Sequence, residues 1–283
     1  MALIFDFDDT LAPDTTSSLL QEYGINPNVF WKKEVKKLVL SGYDPAHAYL
    51  NLLIKNIGKD KPFGELTNGD LADFGKNKIN KLFYSGLPKL FEDLTKIAKR
   101  TGMEIKFFVI SGGLQEIIEG CGIIQDYFTA VYGCQLAGDK DSGILKYIKR
   151  CVTFTEKTRY LFEINKGIDP KDTIKNPYLV NKNIPEKSRP IPFKNMIYVG
   201  DGLTDIPCFS LIKNNGGLPF GVFDPAKKKS AKTALIQFLK TSRVISSHSP
   251  KYGKKDELGS FIRAAVAERC AQVKLKRVQA ESE

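Results

Sequence analysis

Two groups of aspartates each follow an apolar run. Asp6-Phe7-Asp8-Asp9-Thr10-Leu11 comes directly after Leu3–Phe5, and Gly200-Asp201-Gly202-Leu203-Thr204-Asp205 comes directly after Met196–Val199. In open α/β sheets ligands bind beyond the carboxyl ends of the strands, so two neighbouring strands ending here would bring several carboxylates together. Their mutual repulsion requires a cation. Because no His or Cys lies nearby, this all-oxygen ligand set favours Mg²⁺ over Zn²⁺.

Two further segments supply groups that can hold a phosphate. Ser111-Gly112-Gly113 follows the apolar run 105–110 and offers a hydroxyl and backbone N–H groups at the predicted start of a helix. Lys157 lies at the start of a helical stretch and can set a positive charge against both phosphate and carboxylates, with Lys149 and Lys166 as alternatives. A carboxylate nucleophile, a neighbouring acid, Mg²⁺, a hydroxyl and a lysine together make a phosphoryl-transfer site.

The elements that must position these residues are typical of an α/β fold. Apolar runs at 3–5, 105–110, 130–132 and 196–199 predict strands, and amphipathic helical stretches separate them. We therefore expect a Rossmann-like parallel-sheet core with helices on both faces. Residues 14–85 look helical and contain no strong strand, which predicts an inserted α-helical cap domain.

The cap insertion divides the core, and two further segments stand out along the chain. The catalytic core is predicted to be discontinuous, comprising residues 1–13 and 86–283. Residues 168–195 are rich in Pro, Lys and Asn and predict an irregular insertion. Residues 273–283 are expected to form a basic C-terminal end, the last turns of a helix followed by frayed chain.

Composition narrows the function classes. Only two histidines are present, so His-based metal sites and Ser-His-Asp chemistry are poorly supplied. The five cysteines form no CxxC pair and indicate a reduced, cytoplasmic protein. No apolar run reaches the roughly 18 residues that span a bilayer, so no membrane partner is expected. The net charge of +11 is spread along the chain without aromatic–basic interleaving, which makes a nucleic-acid partner unfavoured and a small phosphorylated metabolite the expected partner.

The motifs resemble those of the haloacid dehalogenase-like (HAD) hydrolase superfamily, in the phosphoserine-phosphatase-like branch that carries a helical cap between the first and second motifs. Residues 6–11 match the first motif, 109–113 the second and 200–205 the fourth, with Lys157 as the third-motif lysine. Residues 84–90 look like the return from the cap into the core. The motifs span residues 6–205, so the implied fold covers most of the chain.

The resemblance implies a role for each residue. Asp6 would attack phosphorus and form an aspartyl-phosphate, and Asp8 would protonate the leaving alcohol and then activate water. Mg²⁺ would be held by the Asp6 side chain, the Asp8 backbone carbonyl and Asp201, with Asp205 bound through water or supporting Asp201. Asp9 is expected to be a turn residue. The substrate-binding residues would be Thr10, which orients Asp8 and its loop, and Ser111, Gly112 and Lys157.

These expectations define a Mg²⁺-dependent phosphatase that hydrolyses a small phosphate monoester. An Asp at position 8 favours phosphatase over dehalogenase chemistry, because a dehalogenase has no alcohol leaving group to protonate. Phosphoserine is disfavoured as substrate, since no Arg lies between residues 11 and 99 to meet its carboxylate. The alternatives are a catalytically weak phosphate-binding or scaffold protein and a nucleic-acid-processing phosphatase.

Overall fold

A seven-stranded sheet forms the centre of the molecule in a computed structural model that describes residues 1–281. The strand order is β4-β3-β2-β1-β5-β6-β7, and every neighbouring pair is parallel except β3 and β4. The strands are β1 Ala2–Phe5, β2 Lys106–Leu114, β3 Phe128–Gly138, β4 Leu145–Arg150, β5 Met196–Gly200, β6 Leu218–Val222 and β7 Ser246–His248.

Helices cover both faces of this sheet. Every residue of β1 and β5 is buried, and because successive strand residues point to opposite faces, both faces must be covered. The Rossmann-like α/β fold predicted from the sequence is confirmed. The helices are α1 Thr15–Glu22, α2 Pro27–Val29, α3 Lys36–Leu40, α4 Pro45–Lys55, α5 Asn68–Asn77, α6 Lys89–Arg100, α7 Gln115–Gly120, α8 Gly122–Tyr127, α9 Phe154–Lys166, α10 Pro170–Lys175, α11 Ile206–Asn214, α12 Lys228–Thr233 and α13 Glu257–Glu281.

Three strands, β4, β6 and β7, were not predicted from the sequence, and each lacks the usual strand pattern for a physical reason. β4 is an antiparallel edge strand of which three of the six residues are exposed and three carry charged side chains. β6 contains a proline and a glycine, both disfavoured in strands, and β7 has only three residues. Such strands are stabilised by their neighbours in the sheet and lack a strong pattern of their own.

The C-terminal segment is helical as far as the structure describes it, and a frayed end beyond that point stays a prediction. Residues 273–281 continue α13, and residues 282–283 lie outside the described part of the chain. The segment 168–195 contains α10 and three single 3₁₀ turns, at Leu179–Asn181, Glu186–Ser188 and Phe193–Asn195, joined by irregular chain. None of the described helices is long and apolar enough to span a membrane.

Only helices occur between β1 and α6 in the described chain. A π-helical turn, Phe30–Val35, joins α2 to α3, and a 3₁₀ turn, Ile79–Lys81, follows α5. α5 packs against α7 at very close range, because a side chain at Gly75 would collide with the carbonyl of Ile117 and one at Gly120 with that of Ala72. The helical segment is thus held directly against the sheet's own helices.

Candidate active site

The two acidic motifs lie side by side at the carboxyl ends of β1 and β5, which are neighbouring strands. β2 borders β1 on its other side. Phe5 is in register with Val109 on one side and Val199 on the other. The backbone N–H of Asp6 extends this ladder by donating to the carbonyl of Val199 at 2.9 Å. The chain leaves β1 and β5 close to this level and β2 reaches Ser111 two residues beyond it, which brings the motifs at residues 6, 111 and 201 together.

Asp6, Asp201 and Asp205 form the acidic centre of this edge. Each offers a carboxylate oxygen, and these oxygens lie within 4.8 Å of one another. Asp205 is fully buried and accepts hydrogen bonds from Tyr198 Oη at 2.7 Å and from the Gly202 N–H at 2.9 Å. Asp201 is partly exposed, and within residues 1–281 no protein hydrogen bond to its carboxylate is found. Asp205 is fixed by the protein, whereas Asp201 has free lone pairs.

Lys157 is the cation of the site. Its Nζ lies 2.8 Å from Asp6 Oδ2 and 2.7 Å from Asp205 Oδ1, and its side chain is 1% exposed. The two alternative lysines lie elsewhere: Lys149 is exposed on β4, and Lys166 donates to the carbonyls of Val180 and Lys182 at 2.6 and 2.8 Å. The long stretch between Lys157 and Asp201 contains the irregular segment 168–195.

The turn after β1 gives its aspartates different surroundings. The N–H groups of Thr10, Leu11 and Ala12 all converge on the carbonyl of Phe7. Asp8 Oδ1 accepts the Thr15 N–H at 2.7 Å. Asp9 has a φ of 52° and its carboxylate lies 3.3 Å from Lys227 Nζ. All three line the cavity, but Asp6 and Asp8 contact the interior, while Asp9 makes an ion pair near the surface.

Thr10 is not positioned to touch a substrate. Its side chain is fully buried, and its backbone carbonyl accepts a hydrogen bond from Tyr252 Oη at 2.7 Å. It does not line the cavity above the aspartates. The expected substrate-binding role for Thr10 therefore does not fit the geometry, and the residue belongs to the packing that holds the turn.

Ser111 and Gly112 line the cavity, but in a different backbone setting from the one expected. β2 continues through Ser111-Gly112-Gly113 to Leu114, and α7 begins only at Gln115. The Gly113 N–H donates to Ser111 Oγ at 3.1 Å instead of pointing from a helix N-terminus. Ser111 therefore lines the site from within the last part of β2. The predicted helix is present as α7, but it begins at Gln115 instead of Leu114, so Gly112 and Gly113 belong to β2.

Burial shifts the protonation of the acidic centre. Burial raises the pKa of Asp6 to about 6, while Lys157 opposes this shift and Asp205 adds to it. Burial, and then the charges of Asp6 and Asp205, raise the pKa of Asp201 well above its usual range. Burial acts to lower the pKa of Lys157, but the carboxylates of Asp205 and Asp6 outweigh it and raise that pKa. The single positive charge of Lys157 therefore does not offset the negative charges of Asp6, Asp201 and Asp205.

The acidic centre fits a hard divalent cation. A buried carboxylate cluster with raised pKa values carries uncompensated negative charge, which an additional cation would relieve. The available donors are carboxylate and carbonyl oxygens, the ligands that Mg²⁺ takes. The Asp8 side chain is directed to Thr15 instead of into the trio, so any contribution from Asp8 to a metal would come from its backbone.

A cavity of about 250 Å³ opens above these groups and includes residues that sequence reasoning did not find. Besides the aspartates and the Ser-Gly-Gly segment, its wall contains Asp14, Thr16, Trp31 and Tyr49 from the helical segment. Tyr49 Oη donates to the Gly112 carbonyl at 2.5 Å. A lone Trp and a Tyr on separate amphipathic helices carry no sequence signal beyond ordinary core packing.

Comparison with known proteins supports the architecture. No family model matches the chain. A Borreliella burgdorferi protein, described as uncharacterized, is 32% identical over 238 residues, which cover 76% of this chain and 79% of that protein. A HAD family hydrolase from Salmonella enterica serovar Typhi superposes with a TM-score of 0.54 at 14% identity, covering 88% of this chain and 67% of its own.

A probable phosphoserine phosphatase from Vibrio cholerae superposes with a TM-score of 0.52 at 14% identity, covering 96% of this chain and 66% of its own. This chain therefore spans about two thirds of the length of either solved structure. At such identity the likeness concerns the fold. The chain belongs to one family with the Borreliella burgdorferi protein, and it has the fold of the haloacid dehalogenase-like (HAD) hydrolase superfamily in its phosphoserine-phosphatase-like form.

Proposed function

We propose that the protein is a Mg²⁺-dependent phosphatase that hydrolyses a small phosphate monoester through an aspartyl-phosphate on Asp6. One observation carries the proposal: Asp6 lies at the point where Lys157, Asp201 and Asp205 meet, on the wall of a cavity that Asp8 and Ser111 also line. Nucleophile, acid, phosphate-binding hydroxyl and counter-charges thus share one small space.

In the first step the Asp6 carboxylate attacks phosphorus and the bond from phosphorus to the ester oxygen breaks. Asp8 donates its proton to the leaving oxygen, which departs as the alcohol. Burial, followed by the nearby charge of Asp14, raises the pKa of Asp8, which supports its holding a proton for this step. Thr15 fixes the direction of the Asp8 carboxyl through its N–H.

In the second step Asp8, now ionised, takes a proton from water, and the resulting hydroxide attacks the phosphorus of the aspartyl-phosphate. Inorganic phosphate leaves and the Asp6 carboxylate is restored. Lys157 and Ser111 would hold the phosphoryl oxygens or the charge that develops on them. The Asp6 and Asp201 side chains and the Asp8 carbonyl would hold Mg²⁺, with Asp205 in support. When bound, Mg²⁺ supplies positive charge against the phosphate.

The helical segment 14–85 would act as the cap of this site. Trp31 and Tyr49 come from this segment and line the cavity together with the strand-end residues. Closing such a wall over the phosphate excludes water and strengthens each electrostatic contact inside.

Turnover of p-nitrophenyl phosphate with Mg²⁺ tests the proposal. We expect Asp6→Asn to lower kcat by roughly 10³-fold or more, because an amide cannot form the phosphoenzyme. Asp9→Asn is the matched control, since Asp9 belongs to the same turn but pairs with Lys227. Full activity in Asp6→Asn would contradict the assignment of the nucleophile. The absence of turnover in the wild-type protein across a panel of phosphate monoesters would contradict the phosphatase itself.

A further inference from the structure

The part of the cavity wall contributed by the helical segment 14–85 carries aromatic and acidic side chains and no cation among the described residues. Asp14, Thr16, Trp31 and Tyr49 form this part, and neither a Lys nor an Arg lines the cavity among the described residues. Two lysines contact aspartates of the cavity wall, and both are engaged there: Lys157 with Asp6 and with the neighbouring Asp205, and Lys227 with Asp9. The wall that faces the alcohol portion of a bound ester is therefore aromatic and acidic.

The two rings are held in fixed positions. The centroids of Trp31 and Tyr49 lie 5.6 Å apart, with their planes at 51°. Trp31 Nε1 donates to Ser17 Oγ at 2.9 Å, and Phe30 packs edge-on against the indole at 5.2 Å. Tyr49 is anchored through its hydroxyl to the Gly112 carbonyl. A cation placed against a Trp or Tyr face is attracted by the ring quadrupole, most strongly by Trp.

Asp14 adds a carboxylate beside these rings. It caps α1 by accepting the Ser17 N–H at 3.1 Å and the Ser17 hydroxyl at 2.6 Å. The same Ser17 hydroxyl receives the Trp31 N–H, so Asp14 and Trp31 are linked through one side chain. Within residues 1–281 no Lys, Arg or His forms an ion pair with Asp14. Helix capping explains its position, but capping leaves its negative charge on the cavity wall uncompensated.

Resting on the proposed phosphatase activity, we propose that this cavity selects phosphate esters of amino alcohols. Trp31, Tyr49 and Asp14 would form the subsite for the positively charged ammonium or trimethylammonium group. The phosphate would lie at Asp6 and the cation against the helical wall, so that both charges of such a substrate meet complementary groups. A substrate with an additional carboxylate would find acidic and aromatic groups and no cation on this wall.

Two matched substrate pairs test the selectivity through kcat/KM. Phosphocholine and 3,3-dimethylbutyl phosphate have the same shape and differ in the charge of the head group. We expect the charged ester to be preferred by roughly tenfold or more, the size of a partly desolvated cation–π contact. Phosphoethanolamine and phosphoserine differ in one carboxylate, and we expect phosphoethanolamine to be preferred by a similar factor. Equal values within both pairs would overturn the inference.

Two variants locate the subsite. Asp14→Asn keeps a side chain that caps helices as well as Asp does, so it removes the charge while retaining the cap. We expect it to reduce the preference for phosphocholine over its neutral isostere, with an unchanged melting temperature showing that the fold is intact. Trp31→Leu should reduce the same ratio, and Trp31→Phe should restore part of it. A ratio that none of these variants changes would overturn the subsite.

The outcomes separate this inference from the proposed function. Hydrolysis of p-nitrophenyl phosphate without any preference for cationic esters would overturn the inference alone. If no ester were hydrolysed, the phosphatase proposal would fail, and calorimetric binding of phosphocholine would still decide the subsite. Binding that Asp14→Asn weakens by several-fold would support it. No binding, or binding that the variant leaves unchanged, would reject it.

Discussion

The three aspartates of the first motif differ at the residue scale in what they touch. Asp6 contacts a buried lysine, Asp8 accepts a backbone N–H from the start of α1, and Asp9 pairs with an exposed lysine. Burial raises the pKa of both Asp6 and Asp8. Three chemically identical side chains thus acquire the properties suited to a nucleophile, an acid and a turn residue from their surroundings alone.

The proposed acid role of Asp8 predicts a dependence on the leaving group. Asp8→Asn should lower kcat/KM by roughly 10²–10⁴-fold for an alkyl phosphate, because its alkoxide must be protonated as it departs. The loss for p-nitrophenyl phosphate should be much smaller, since nitrophenolate leaves without a proton. An Asn side chain can still accept the Thr15 N–H, so the turn should persist. Equal losses for both substrates, measured in steady-state assays, would contradict the acid role.

The charged carboxylate of Asp201 should destabilise the folded protein when no metal is bound. Burial and the neighbouring carboxylates raise its pKa, which means that its charged form is disfavoured in the folded protein. Asp201→Asn removes that charge, so the melting temperature of the metal-free protein should rise by roughly 2–4 °C, the shift that about 1 kcal/mol produces in a large domain. The stabilisation that the wild type gains from Mg²⁺ should vanish. Calorimetry with EDTA or Mg²⁺ gives both values, and Asp9→Asn serves as the control. A lower melting temperature without metal would contradict the argument.

At the scale of elements, the position of β2 relative to β1 determines where Asp8 points. A Cβ at Gly113 would lie 2.6 Å from Asp8 Oδ2, whereas one at Gly112 would have its nearest neighbour at 4.0 Å. Gly113→Ala should therefore displace Asp8 and lower kcat by roughly 10-fold to 10²-fold, the cost of a misplacement of about 1 Å. Gly112→Ala is the matched comparison and should lose less. Equal losses in steady-state assays would show that the contact with Asp8 does not matter.

How much of this site could be predicted depended on the element that carries each residue. Asp6 and Asp201 follow buried parallel strands and Ser111 follows the apolar run within another, and continuous apolar runs mark such strands in the sequence. Lys157, in contrast, meets Asp6 across 151 positions of chain, so spacing alone left Lys149 and Lys166 open. Trp31 and Tyr49 were missed because an aromatic side chain on an amphipathic helix has the same pattern whether it faces a core or a cavity.

For the molecule as a whole, the acidic centre is a local cluster of negative charge in a protein of net charge +11. Protons and Mg²⁺ should compete for its carboxylates. The pKa of Asp6 is raised to about 6, so protonation below that pH removes a ligand, while above it the ligand is ionised. The affinity for Mg²⁺ should therefore fall as the pH drops through about 6, by up to about tenfold per pH unit for each proton that the metal displaces, because metal binding releases these protons. Calorimetric titrations from pH 5 to pH 8 measure this dependence. Asp9→Asn should change the profile less than a substitution in the trio, since Asp9 pairs with Lys227 and is not one of the three clustered carboxylates. A constant affinity across this range would mean that Asp6 is not a ligand, and it would leave Asp201 and the buried Asp205 to hold the metal.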